Sequence, residues 1–124
     1  MTEKQIHKQI TDFIKIQYPK LIFNTDASGI KLTMGQAKQM KNLRSSNGFP
    51  DICIYEPNKQ WNALFLEVKK ESPYKINGRL KKNDHLEEQN EMHRKLISKG
   101  YFCCFVWSLD IAKEMITHYL TQKK

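Results

Sequence analysis

Apolar residues fall at two different spacings along this chain, and the changes between them mark its elements. Ile6, Ile10, Phe13 and Ile14 recur at helical spacing, the signature of one buried helix face. Thr2-x-x-Gln5 just ahead of them forms a capping box, and Tyr18-Pro19 stops the run. An opening helix is therefore predicted. Residues 21–25 read as a strand, Asp26-Ala27-Ser28-Gly29 as a turn, and residues 34–43 as a polar helical insert. Ser45-Ser46-Asn47-Gly48 is a loop by composition.

The period then shortens to two. Ile52 and Ile54 face away from Asp51, Cys53 and Tyr55. After the turn Glu56-Pro57-Asn58, Leu64, Leu66 and Val68 face away from Ala63, Phe65, Glu67 and Lys69, so two half-apolar strands are predicted. Residues 72–83 read as a loop. The next helix is predicted to take Asp84 as its N-cap, with Glu87 and Glu88 in its first turn, and to stop at Gly100. Its apolar stripe is Leu86, Met92, His93, Leu96 and Ile97. Residues 101–107 form a continuous apolar run typical of a buried strand. A last helix, capped by Ser108 or Asp110, carries Ile111, Met115, Ile116 and Tyr119 on one stripe. The order α-β-(α)-β-β-α-β-α predicts an α/β fold, a mixed central sheet flanked by helices on both faces. At 124 residues the chain is expected to be one domain with a sizeable core.

Charge narrows the partners. Lys and Arg number 21 against 13 Asp and Glu, a net charge of +8. Such an excess suits nucleic acid or an anionic membrane surface. The chain lacks the basic amphipathic helix that a peripheral membrane protein uses, and no apolar run approaches a membrane span. Its polar first residues are not expected to act as a signal peptide. Cys53, Cys103 and Cys104 are odd in number, two of them adjacent and all in apolar runs. Reduced, buried thiols of a cytosolic protein are expected rather than disulfides. His7, His85, His93 and His118 have no zinc-like spacing with them.

Two carboxylates and one amine stand out within the strands. Glu67 and Lys69 share one strand face. Asp51 opens the adjacent strand, and hairpin pairing would bring its carboxylate to Glu67. Such a pair repels itself unless a cation or a proton lies between, and it suits a hard divalent ion such as Mg²⁺. Val68 points into the core between Glu67 and Lys69, with its carbonyl level with the carboxylate as a further ligand. Lys69 is placed to hold or polarise an attacking water. A lone Glu-x-Lys on a strand is more often a surface salt bridge. The combination with Pro50-Asp51, on adjacent strands that both alternate, carries the argument.

Glu3 precedes Ile6 on the inward side of the first helix and is a candidate further carboxylate; its plainer role is to complement the helix dipole. Gln89 falls in the middle of an apolar stripe, where a buried amide needs a partner. It either closes a strand end or reaches the site's water, a carboxylate or a substrate phosphate, and the second reading is favoured. His93, one turn on, reads as a core histidine. Lys38, Lys41 and Arg44, then Lys75, Arg79, Lys81 and Lys82, form two basic stretches without an acid. Both are suited to phosphates, although each residue singly reads as a solvated charge. Tyr74 is placed to stack on a base or sugar.

Asp51, Glu67 and Lys69 resemble the PD-(D/E)xK nuclease superfamily. More narrowly, the chain resembles a stand-alone VRR-NUC domain of phages and bacteria over nearly its whole length. Glu3-Lys4-Gln5-Ile6-His7-Lys8-Gln9-Ile10 is similar to the family's opening helix with its acidic residue. Gly48-Phe49-Pro50-Asp51 resembles its Gly-x-Pro-Asp, and Leu66-Glu67-Val68-Lys69 its Glu-Val-Lys strand. Gly78-Arg79-Leu80 and Gln89 resemble the segment leading into its glutamine-bearing helix. Gly100-Tyr101 and Ser108-Leu109-Asp110 are similar to its closing strand and helix. The resemblance implies a restriction-endonuclease-like core, with residues 1–124 as one VRR-NUC-like nuclease domain. It implies Mg²⁺- or Mn²⁺-dependent endonuclease cleavage of DNA phosphodiester bonds, and a homodimer acting on branched DNA such as four-way junctions. It also implies a bacterial cytoplasmic setting, phage- or prophage-encoded. The competing reading is a catalytically inactive nucleic-acid-binding module on the same fold. The joint presence of Asp51, Glu67 and Lys69 favours the enzyme.

Overall fold

The computed structural model describes residues 1–25, 33–43 and 48–123, the side chains at 40–43 excepted. The chain runs α1 (Glu3–Gln17), β1 (Phe23–Thr25), α2 (Met34–Leu43), β2 (Ile52–Ile54), β3 (Ala63–Val68), α3 (Asp84–Ser98), β4 (Tyr101–Val106) and α4 (Leu109–Thr121). This is the expected order. The four strands form one mixed sheet in the order β1-β2-β3-β4. β1–β2 and β2–β3 are antiparallel, and β3–β4 is parallel. A parallel neighbour requires a crossover, which α3 supplies.

Caps set the helix starts. At α1, Thr2 Oγ1 accepts from the Gln5 N–H at 3.1 Å while Gln5 Oε1 accepts from the Thr2 N–H at 2.9 Å. At α2, Thr33 and Gln36 repeat the same exchange. The cap of α3 is Asn83, not Asp84 as the sequence suggested. Asn83 lies in extended backbone and its Oδ1 accepts from the N–H groups of His85 and Leu86 at 2.9 and 3.1 Å. Asp84 is the first helical residue and acts only through the dipole. Ser108, one of the two alternatives, caps α4.

β3 is the central strand and all six of its residues are buried. Both of its faces are therefore covered. One face meets α1 and α4: Ile6, Ile10, Ile14, Ala112, Ile116 and Tyr119 pack on Ile52, Ile54, Leu64, Leu66, Val68 and Val106. Each fully buried isoleucine there contributes roughly 1.5–3 kcal/mol. The other face meets α3 through Ala63, Phe65 and Cys103, with Cys53, Leu96 and Ile97 against them. The two-residue alternation read from the sequence thus assigns both faces correctly. Asn58, read as a turn residue, is buried and pins the β2–β3 connection to α4: its Nδ2 donates to the Tyr119 carbonyl at 3.1 Å, and its Oδ1 accepts from the Gln60 and Trp61 N–H groups.

Three expectations change in detail. β1 covers only Phe23–Thr25 rather than residues 21–25, because only those residues find register partners on β2. The stretch 72–83 is not an open loop. A bridge between Tyr74 and Leu80 and a Lys75 N–H bond to the Arg79 carbonyl at 2.7 Å make it a small hairpin. Finally, Glu3 is exposed rather than inward-facing, since it is the first residue of α1 and precedes the part of the helix that meets the sheet. The expected turn at residues 26–29, Ser45, Ser46, Asn47 and Arg44 all lie outside the described residues, as does the Lys41 side chain. None of the three cysteines forms a disulfide; Cys103 is buried as expected, whereas Cys53 and Cys104 are half-buried, and burial pushes the Cys103 and Cys104 thiols up to about 12. Among the described residues no helix is long and apolar enough to cross a membrane.

Candidate active site

β2 begins one residue after Asp51, and that sets the geometry of the site. The Asp51 N–H still donates to the Leu66 carbonyl at 3.0 Å. One step further along β3 no β2 residue remains to pair. Asp51 fills that place with its side chain: Oδ2 accepts from the Val68 N–H at 2.8 Å. In a strand the N–H and C=O of one residue point to the same side. The Val68 carbonyl therefore points to the edge where the Asp51 carboxylate lies.

Gly48 and Pro50 bring Asp51 there. Gly48 has φ +86°, and a Cβ on it would stand 3.0 Å from the Glu88 carbonyl oxygen and 3.4 Å from the Gln89 Cα. The segment thus runs against the α3 backbone at Gln89, an approach open only to glycine. Pro50 is fully buried and keeps the following turn rigid.

Glu67 is only 2% exposed and Asp51 8%. Burial, the hydrogen bond to the Asp51 carboxyl and the Asp51 charge push Glu67 up to about 11. Lys69 opposes this shift and Glu3 adds to it. Without a metal, Glu67 is thus driven towards its neutral form, because charging it beside Asp51, out of water, is unfavourable.

α3 supplies the facing wall. Gln89, Met92 and His93 are its buried residues, as the helical stripe predicted. The His93 ring lies 4.7 Å from Phe105, and its Nε2 is 3.5 Å from Glu67 Oε1. Burial, then the Lys69 charge, holds His93 down to about 4, with Asp51 opposing. Both shifts favour the neutral forms, which argues against an ion pair here. His93 is buried, as expected of a core histidine, and it also borders the carboxyl pair. The available signal was its position one turn beyond Gln89 on the same face.

Lys69 closes the end of β3. Its N–H donates to the Val106 carbonyl at 2.8 Å, and the half-buried side chain opens into a cavity of about 350 Å³. Glu3, Lys81, Lys82, Asn83 and His85 share that lining. The structure therefore brings together Asp51, Glu67, Val68 and Lys69, with His93 opposite, Gln89 buried one turn earlier on α3 and Glu3 in the cavity lining with Lys69. Lys75 and Arg79 are exposed on the 72–83 hairpin, and Tyr74 stands edge-on to Phe105 and Trp107 at its base. Lys38 is exposed on α2.

The donor set can be tested against a divalent cation. Glu67 Oε1, Gln89 Oε1 and His93 Nε2 are buried and have no hydrogen-bond partner in the described structure. A buried unpaired polar atom costs about 1–3 kcal/mol, a cost that water or a bound group at these atoms would offset. Two carboxyls and a backbone carbonyl are hard oxygen donors. No group of three or more His, Cys, Asp and Glu side chains converges among the described residues. The set therefore fits Mg²⁺ or Mn²⁺ held by one or two carboxylates with waters, rather than an all-protein cage.

The fold is similar to that of a solved VRR_NUC domain protein, with a TM-score of 0.71 over 100% of this chain and 92% of that one. Sequence identity between them is 17%. No protein-family profile matches the chain, and no curated protein matches it. The mixed sheet flanked by helices that the sequence led us to expect is thus a VRR_NUC-type architecture.

Proposed function

We propose that this chain is a metal-dependent endonuclease that hydrolyses DNA phosphodiester bonds. The observation that carries the proposal is the buried Asp51–Glu67 carboxyl pair with Lys69 beside it at the end of β3. The net charge of +8 and the VRR_NUC-type fold support a polyanionic substrate.

Asp51, Glu67 and the Val68 carbonyl would hold Mg²⁺ or Mn²⁺, with Glu3 reaching it from the rim through water. When bound, the ion lowers the pKa of water and neutralises charge that grows at the scissile phosphate. Lys69 lines the cavity, where it would orient an incoming water and face the phosphate. The Gln89 amide, buried and with its oxygen unpaired, accepts from that water through Oε1 or donates to a phosphate oxygen through Nε2. His93 stands as a neutral imidazole against Glu67 and holds its rotamer. Lys81 and Lys82 line the cavity and, with Lys75 and Arg79, seat the backbone without reading bases.

The test is cleavage of labelled four-way junction, flap, duplex and single-stranded DNA with Mg²⁺, Mn²⁺ or EDTA. Lys69→Ala and Asp51→Ala should each lose about a hundredfold or more in rate with the fold unchanged by circular dichroism. Near-normal turnover in either variant would overturn the site assignment. Salt-dependent binding without cutting under any metal would leave a binding module in place of an enzyme. We extend the proposal to branched DNA as the preferred substrate and to a homodimer as the acting species. Substrate ranking in the same panel tests the first, and sedimentation with and without DNA tests the second.

A further inference from the structure

The hairpin over residues 73–81 places an apolar side chain where a turn residue is usual. The Lys75 N–H bonds the Arg79 carbonyl at 2.7 Å, the Gly78 N–H the Lys75 carbonyl at 2.9 Å, and the Lys81 N–H the Pro73 carbonyl at 2.9 Å. Asn77 Oδ1 accepts from the Arg79 N–H at 3.0 Å, and Gly78 supplies a φ of +83° with nothing near its Cβ position. The tip is thus preorganised by its own hydrogen bonds. Its base is anchored by Tyr74, whose ring meets Trp107 at 5.9 Å and Phe105 at 6.2 Å. At the tip stands Ile76, 109% exposed, with no packing at all. A single exposed isoleucine means little by itself. This one projects from a braced hairpin whose charged residues, Lys75, Arg79 and Lys81, are all cations, and the hairpin's C-terminal end lines the cavity that holds Lys69.

We propose that this hairpin is a wedge, with Ile76 entering the base stack of DNA next to the cleavage site while Lys75 and Arg79 grip the phosphates on either side. Apolar residues inserted at a base step unstack it and kink the duplex, and the flanking cations neutralise the phosphates drawn together. The inference rests on the nuclease reading for its substrate, and it adds how a branch or weakly stacked step is selected: such a step costs least to open. Lys75 and Arg79 give the wedge its grip, and Ile76 alone gives it the insertion.

The experiment uses 2-aminopurine, which brightens when unstacked, placed in turn at each step around the fork of a branched DNA. Binding is measured with Ca²⁺ in place of Mg²⁺. Wild-type protein should brighten one or two adjacent positions severalfold. Ile76→Ser should remove that signal, and Ile76→Phe should keep it. In Mg²⁺, Ile76→Ser should cut the branched DNA at least about tenfold more slowly, the equivalent of about 1.4 kcal/mol, with little change on single-stranded DNA. Its melting temperature should match wild type because Ile76 packs on nothing. No brightening at any position on binding, or equal brightening by Ile76→Ser, would overturn the wedge. Co-sedimentation with anionic vesicles that is lost in Ile76→Ser would also overturn it, in favour of a membrane contact. If wild type brightens the fork yet cuts no DNA with Mg²⁺ or Mn²⁺, the nuclease reading fails and the wedge stands.

Discussion

Replacing Glu67 with glutamine should stabilise the metal-free protein, and by more as the pH rises. Glu67 is 2% exposed. Its pKa stands at about 11, against 4.5 for a free side chain, chiefly through burial and then through Asp51. Between those two values the folded chain keeps a proton that the unfolded chain releases. Raising the pH therefore favours unfolding: the contribution of this group is complete below the unfolded value and is lost progressively towards the folded one. One proton sets a ceiling of about 1.4 kcal/mol per pH unit, or about 3 kcal/mol between pH 6.5 and 8.5. For a domain of this size that is roughly 10 °C in melting temperature. His93 works in the opposite sense but lower down. Its pKa falls from 6.5 to about 4, so its contribution is lost as pH falls through that interval; above pH 6.5 the difference between the two proteins reports Glu67, since the Cys103 and Cys104 shifts are common to both. Glutamine keeps the shape, offers an N–H towards Asp51 and has no proton to lose. Urea unfolding of both proteins in EDTA at pH 6.5, 7.5 and 8.5 should give a stability difference that widens with pH. Adding Mg²⁺ should flatten the wild-type slope and leave the variant unchanged. A difference that stays constant to within about 0.5 kcal/mol across the range would show that Glu67 is ionised in the native state, and would refute the account of the carboxyl pair.

The remaining predictions concern backbone, caps and charge. Gly48→Ala forces both a left-handed residue and a Cβ against α3, and should cost about 1–3 kcal/mol together with much of the cleavage rate. Gly78→Ala, with the same sign of φ but open space around it, should cost about 1 kcal/mol in a parallel thermal melt. Asn83→Ala should cost about 1 kcal/mol through the lost N-cap, and Asp84→Ala less than half of that; the reverse order would restore Asp84 as the cap. Removing both Lys81 and Lys82 should lower the slope of log binding constant against log salt by about 1.8 on duplex DNA, about 0.9 for each lost phosphate contact, as read by fluorescence anisotropy at several salt concentrations.

The sequence by itself determined which residues share a face. The period of two in 51–55 and 63–69 and the helical stripe over 86–97 are local properties, since side-chain direction follows from backbone geometry alone. Asp51, Glu67 and Lys69 could therefore be grouped before any packing was known, and Gln89 stood out as a polar residue on an apolar stripe. The hairpin at 73–81 was also within reach, because Asn77-Gly78 is a strong turn signal; the surrounding charges obscured it. Asn83 and Asp84 compete for one cap with similar chemistry, and only the backbone angles at Asn83 decide between them. The tertiary structure alone decided the environment of each group. Asp51 stands in for a missing strand residue, Glu67 is driven towards its neutral form, and His93 meets Glu67. Each of these depends on how far water is excluded and on which charges arrive from segments distant in the chain. Burial and Coulomb terms act through space, so no pattern within a single segment contains them.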